Sequence, residues 1–222
     1  MTTRSLVRSL RRRAPLAVAA GLCLVASAPG QTCADHGIPV NGYPSWQERA
    51  TLVLTNACRI APTNFRDTYL GVPTILQPSV YPAVPPLQWC LPLSESSRAH
   101  STDEAVNVGC PFQHNSCDGT AWSTRVLSYD PNVVALGENA AAGFADPVST
   151  LTGLLLDYTS TAPAADASGY DGHRANIMSA SYTQVGCGYA SGPNYYLRYW
   201  TQDFARPSAA APVCSPVAAG SH

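Results

Sequence analysis

The 222-residue chain contains no lysine, and all 13 of its basic side chains are arginine. Five of them, Arg4, Arg8, Arg11, Arg12 and Arg13, crowd the first residues, so residues 31–222 carry 8 cations against 14 acids, a formal charge of −6. A lysine-free, mildly acidic surface argues against nucleic acid and anionic membranes as partners, because both need clustered cations. Catalytic signatures are missing too. There is no C-x-x-C pair for a zinc knuckle, no H-E-x-x-H zinc helix and no G-x-S-x-G nucleophile elbow. After residue 30 no long apolar run occurs, so the remainder holds no candidate transmembrane segment.

The one apolar run present, Ala14 to Ala28, follows the arginines and ends in the small residues Ala26, Ser27 and Ala28, then Pro29 and Gly30. A positive start, a short apolar stretch and a small-residue end form the pattern of a secretory signal peptide, with cleavage expected between Ala28 and Gly30. An uncleaved anchor is the bland alternative, and a twin-arginine route would change the exporter but not the destination. The expected division is therefore a signal at 1–30, an irregular lead-in at 31–44, a folded domain at 45–205 and an Ala/Pro-rich tail at 206–222. The location expected is secreted, either extracellular or periplasmic.

Of the 8 cysteines, Cys23 lies in the signal. Cys33, Cys58, Cys90, Cys110, Cys117, Cys187 and Cys214 remain, and in an exported chain they read as disulfide partners with one left over. Cys110 and Cys117 bracket a short loop and are the first pairing to expect.

Ser45-x-x-Glu48 is a capping box, in which each side chain satisfies the other residue's free backbone N–H. Behind it Trp46, Ala50, Val53, Leu54 and Ala57 recur at helical spacing, and the helix must end near Pro62. Five prolines between residues 71 and 86 forbid helix or central strand, which makes this a long ordered loop. A second helix is predicted from Pro92 to Asn107, with Gly109 just past its end. Residues 109–137 read as loop, with a turn at Asp118-Gly119. A third helix is predicted from the N-cap Asp146 and Pro147, with Leu151, Leu154, Leu155 and Tyr158 as its apolar stripe. At the end of the chain, Thr183–Ala190 and Tyr195–Phe204 read as strands of a hairpin around Ser191-Gly192-Pro193-Asn194. Helices first and an antiparallel pair last give an α+β fold.

Three strings carry ionisable residues in glycine-bearing or turn-rich settings: Phe112-Gln113-His114-Asn115-Ser116-Cys117-Asp118-Gly119, Gly137-Glu138-Asn139-Ala140 and Gly172-His173-Arg174-Ala175-Asn176-Ile177-Met178. No string alone is a catalytic signature. Other residues have plainer readings. His100 shares a helix face with Leu93 and reads as a hydrogen-bonded structural histidine. Asp103 and Glu104 read as solvated or capping groups, Arg174 as a loop anchor, and Asn139 and Asn176 as turn-building amides.

The order of the strings adds to their content. Ahead of them stand Asn56-x-x-Arg59, Leu87-Gln88-Trp89 and Ala99-His100-Ser101-Thr102-Asp103-Glu104-Ala105, and after them Tyr199-Trp200-Thr201-Gln202-Asp203-Phe204. Taken together, residues 45–205 resemble the CAP superfamily (cysteine-rich secretory proteins, antigen 5 and pathogenesis-related proteins, also called SCP-like) in its bacterial form. The resemblance implies an α-β-α sandwich with a central antiparallel sheet and an open cleft lined by two histidines and acids. His114 and His173 are then the histidines and Glu138 the first acid. Asp157 is the second acid, although the tryptophan usual in its segment is missing and Asp is shorter than the usual Glu.

Two neutral imidazoles at one opening can bind a divalent metal, with zinc the natural first suspect. The function expected is a non-enzymatic extracellular binding module whose His114, Glu138, Asp157 and His173 cleft holds a divalent metal or a small ligand. Its partner would be a small molecule or lipid, or another extracellular protein. A metal-assisted, peptidase-like hydrolase using His114, Glu138 and His173 is the alternative.

Overall fold

The computed structural model describes residues 44–159 and 162–209. The expected signal sequence, nearly all of the lead-in with Cys33, and most of the tail with Cys214 lie outside the described residues. Helix α1 spans Trp46–Ile60, α2 Pro62–Phe65 and continues as a π-helical turn Arg66–Leu70, and β1 is Gln88–Trp89. Then follow α3 Leu91–Val106, α4 Trp122–Tyr129, β2 Val133–Ala142 and α5 Pro147–Leu156. The short strands β3 Tyr158–Thr159 and β4 Ala162–Pro163 precede α6 Gly172–Met178, β5 Gln184–Ser191 and β6 Arg198–Pro207.

Local chemistry sets the helix starts. Ser45 accepts from the Glu48 N–H while the Ser45 N–H donates to the Glu48 carboxylate, so both ends of the predicted capping box are made. Asp146 caps α5 through the Ser149 N–H, with Pro147 in the first turn. The loop predicted from five prolines is there, and two residues of α1 hold it. Asn56 exchanges hydrogen bonds with the Leu87 backbone, and the Arg59 guanidinium, buried, donates to the carbonyls of Pro85, Ile177 and Ser179.

The fold is α+β with helices on both faces of a four-stranded sheet in the order β1-β5-β6-β2. The sheet is mixed rather than wholly antiparallel: β5·β6 and β6·β2 are antiparallel, but the two-residue β1 lies parallel to β5. Cys58 of α1, Leu151 and Leu155 of α5 and Ile177 of α6 pack with Val185, Trp200 and Phe204 on one face. Helix α3 covers the other, where Leu93 packs with Val126 of α4 and Ala205. Because both faces are covered, β6 buries Tyr199, Trp200, Thr201, Gln202 and Asp203 in succession, which is why its polar–apolar alternation looked impure.

Three local readings change. The hairpin strand β6 begins at Arg198, three residues later than predicted, because Asn194 ties the turn to the end of α3 through the carbonyls of Glu104 and Cys110. The region read as loop, residues 109–137, holds α4 and the first half of β2. Alanine favours helix, and glycine and asparagine are depleted in strands, so it is the pairing with β6 that makes residues 133–142 a strand. Residues 172–178, read only as a string, form a short helix.

Cys110 and Cys117 are joined, as expected, and Cys90 is disulfide-bonded too. Cys58 and Cys187 are free thiols in the core, so they are not disulfide partners and the count of one unpaired cysteine is too low. Both act as small apolar fillers between helix and sheet.

Candidate functional site

Strand β2 is the sheet's edge, and two consecutive residues on it organise the site. Glu138 and Asn139 point to opposite faces, as neighbours on a strand must. Glu138 pairs across to Asp203 on the face covered by α3, while Asn139 pairs across to Gln202, which donates to Thr55 of α1.

On the α3 face, His114 Nδ1 stands 2.9 Å from Glu138 Oε1. The imidazole is half-exposed and the carboxylate buried. Arg125 of α4 completes this corner. It donates to the His114 carbonyl (3.2 Å) and to Ser116 Oγ (3.1 Å), and its other terminal nitrogen pairs with Glu138 Oε2. Ser116 is thereby committed to a guanidinium rather than to an imidazole. The loop carrying His114 is closed by the Cys110–Cys117 bond and latched to α3, where Asp103 accepts from the Cys117 N–H and Glu104 from the Gln113 N–H.

Charge in this corner is sorted by burial. The hydrogen bond to Glu138 holds the His114 imidazole above its usual range. Burial pushes Glu138 up, but the His114 bond and the Arg125 charge outweigh it, and the carboxyl stays below its usual range. Asp203, fully buried behind it, is pushed far up, first by desolvation and then by the Glu138 charge. The opposed directions favour one negative charge on the pair, carried by Glu138. Beneath them His100 is buried with neither ring nitrogen hydrogen-bonded, and desolvation lowers it to about 4. That overturns its reading as a hydrogen-bonded histidine. Glu104, 3.8 Å from His100, is buried rather than solvated and is raised to about 7 by desolvation.

The second pair sits across β2. His173, in the first turn of α6, places Nδ1 2.5 Å from Asp157 Oδ1. Asp157 ends α5 in the left-handed conformation (φ 47°), and its other oxygen accepts from the Arg174 N–H. Asn139 donates to the His173 carbonyl, and Asn176 to the carbonyls of Glu138 and of the Asn139 side chain, so both amides fix backbone as expected. Arg174 is a buried anchor, bonded to the carbonyls of Leu155 and Ala164 and paired with Asp166.

Each histidine sets Nδ1 against a carboxylate and, in its neutral form, has Nε2 left as a lone-pair donor, the arrangement that orients metal-ligating imidazoles. The donor chemistry fits a divalent cation at either ring. Among the described residues, however, no three His, Cys, Asp or Glu side chains converge into a set that could hold a metal. His173 and Asp157 line a groove of about 410 Å³ walled by Phe112, Phe144, Leu154 and Tyr196. His114 and Glu138 are not part of that lining. Sequence reading missed Arg125 and Asp203 altogether. A lone arginine on a short helix and an acid inside an aromatic strand carry no local signal of a shared site.

A family model described as "Cysteine-rich secretory protein family" (CAP) matches residues 82–204. Similar solved structures include an extracellular protein containing a SCP domain from Bacillus anthracis (21% identity, TM-score 0.46, covering 72% of this chain and 41% of that one). Venom allergen-like protein 4 of Schistosoma mansoni is 16% identical, with TM-score 0.44, covering 76% of this chain and 97% of that one. NaASP2, in a structure with Zn2+, is 13% identical, with TM-score 0.46 and coverage of 76% and 83%. The chain thus spans less than half the length of the Bacillus protein. No curated protein matches the sequence significantly. No helix among the described residues is long and apolar enough to cross a membrane.

Proposed function

Since the chain belongs to the cysteine-rich secretory protein (CAP) family, we propose that it is an exported binding module rather than a hydrolase. It offers two carboxylate-buttressed imidazoles, one on each side of the edge strand β2, to a divalent metal or a small polar ligand. The observation that carries this reading is the pairing of His114 with Glu138 and of His173 with Asp157, each leaving Nε2 unspent. Such a pairing raises ligand basicity and fixes the ring, which is useful for capture. Hydrolysis would need more. A catalytic zinc takes three protein ligands and an activated water, whereas each ring here offers one nitrogen and no group of three such donors occurs among the described residues. Ser116, the nearest hydroxyl to His114 in sequence, is held by Arg125.

Zinc, when bound, would supply Lewis acidity to whatever ligand shares its open positions. The chain's own contribution is orientation: Glu138 and Asp157 hold the rings, and Arg125 keeps Glu138 ionised. Calorimetric titration of the purified protein with zinc is expected to show binding that a His114→Ala/His173→Ala double variant loses. Single variants should each weaken it. Identical zinc isotherms for wild type and the double variant would overturn the reading.

A further inference from the structure

Edge strands present a row of unpaired N–H and C=O groups, and proteins usually cover them. Strand β2 is covered along part of its free side only. Tyr182 Oη donates to the Leu136 carbonyl (2.8 Å) and Asn176 Nδ2 to the Glu138 carbonyl (3.2 Å). These two carbonyls therefore face away from β6. On the other side, the Gly143 N–H just past the strand donates to the Arg198 carbonyl and faces β6. Backbone direction alternates along a strand, so the N–H and C=O of Ala140 and Ala142 also point outward. No described residue hydrogen-bonds them. Ala140 is only 6% exposed, so its backbone groups sit in a sheltered place rather than in open water.

That place is the floor of the 410 Å³ groove, which Ala140, Ala141 and Ala142 line. Its walls come from both faces of the sheet. Ala140 and Ala142 lie opposite Thr201 and Tyr199, on the side of α3, where Phe112 and Tyr196 stand with ring centroids 5.9 Å apart. Ala141 lies opposite Trp200, whose indole N–H donates to the Phe144 carbonyl, on the side of α5 and Leu154. Small side chains on the floor and large ones on the walls leave a slot open along the strand's edge.

We propose that this slot binds an extended peptide segment of another protein by strand addition to β2. The main chain of the peptide pairs with Ala140 and Ala142. Its side chains opposite those residues pack on Phe112 and Tyr196, and the intervening side chain packs on Phe144 and Leu154. An alternating apolar peptide fits both requirements, since a strand's side chains alternate between faces. A lipid or a rigid small molecule would fill the walls but leave the backbone groups of Ala140 unpaired, at a cost that main-chain partners remove. The peptide's length is limited to a few residues. Asn176 and Tyr182 close the edge beyond Glu138, and the strand ends at Ala142.

The proposal does not depend on zinc, and its test keeps the two apart. A displayed library of random heptapeptides is panned against the purified protein, and enriched sequences are resynthesised. They are expected to bind with alternating apolar character. Ala142→Pro removes one outward N–H while sparing the β6 ladder, a change edge strands tolerate. It should weaken peptide binding about tenfold, the worth of one net hydrogen bond, and leave zinc binding unchanged. N-methylation of the peptide's alternate amides should do the same in one register and not in the other. Amide hydrogen exchange of the wild-type protein, which needs no variant, should slow at Ala140 and Ala142 when peptide is added. Absence of enrichment would overturn the proposal, as would peptides indifferent to N-methylation in both registers, or amides already fully protected without peptide.

Discussion

Glu104 and His100 stand one turn apart on α3, both removed from water, and they exchange the roles they would have in solution. The imidazole is lowered from 6.5 to about 4 and the carboxyl raised from 4.5 to about 7, each chiefly by desolvation. A base with a lowered folded value costs stability as pH falls from 6.5 toward 4, since only the unfolded chain takes up the proton. An acid with a raised folded value costs stability as pH rises from 4.5 toward 7. Between pH 4.5 and 6.5 the two slopes oppose, because each state holds one proton, on Glu104 when folded and on His100 when unfolded. Urea unfolding is therefore expected to show little contribution from this pair between pH 5 and 6. In Glu104→Gln only the histidine remains, and stability should fall by about 3 kcal/mol relative to wild type between pH 6.5 and 4. A variant whose pH profile runs parallel to the wild type's would refute the assignment. His100 was recognisable in sequence as a helix-face residue, but its lack of hydrogen bonds was not, since nothing local tells how deeply α3 is buried.

Helix α3 carries serines at positions 94, 96, 97 and 101, all buried, where a core helix would usually carry leucine. The reason is proximity. A Cβ added at Gly186 would lie 2.1 Å from the Leu93 carbonyl carbon, and one at Gly188 2.2 Å from that of Ser97. The helix rests on β5 almost backbone to backbone, with Ser97 Oγ bonded to the Gly186 carbonyl and to Asp203. Only glycine fits beneath it, and only small side chains fit between. Gly188→Ala is expected to cost about 3 kcal/mol, at the upper end for overpacking because the obstruction is main chain. Gly172→Ala, with nothing within 4 Å of the added methyl, should leave stability unchanged or raise it by up to about 1 kcal/mol. Equal midpoints for the two alanine variants in denaturant unfolding would contradict this packing. The sequence signalled the helix through Pro92 and Gly109, but not its weak amphipathic stripe, because close approach replaces bulk as the source of burial.

At the scale of the molecule, the two free thiols report on the whole fold. Cys58 is raised to about 12 by burial, and Cys187 is raised further by the same cause. Both sit in the core shared by α1, α5, α6 and the sheet, so reagent reaches them only when that core opens. Thiol labelling in the absence of reductant is expected to follow the global unfolding equilibrium for both cysteines at once. Rapid labelling of either in native buffer would show that this core opens locally, ahead of global unfolding. What the sequence by itself determined was whatever one stretch of chain enforces: the capping box at Ser45 and the N-cap at Asp146, the proline-bound loop, the short Cys110–Cys117 closure, and the ordered strings that revealed the family. The imidazole–carboxylate pairs were nameable in sequence only through that resemblance, residue by residue. Tertiary structure decided the rest. The strand character of residues 133–142, the Arg125 and Asp203 partners of Glu138, the two unpaired core thiols and the open stretch of edge at Ala140 and Ala142 all depend on contacts between residues far apart in the chain. Burial and cross-strand pairing are properties of the assembled layers, and no local run of residues encodes them.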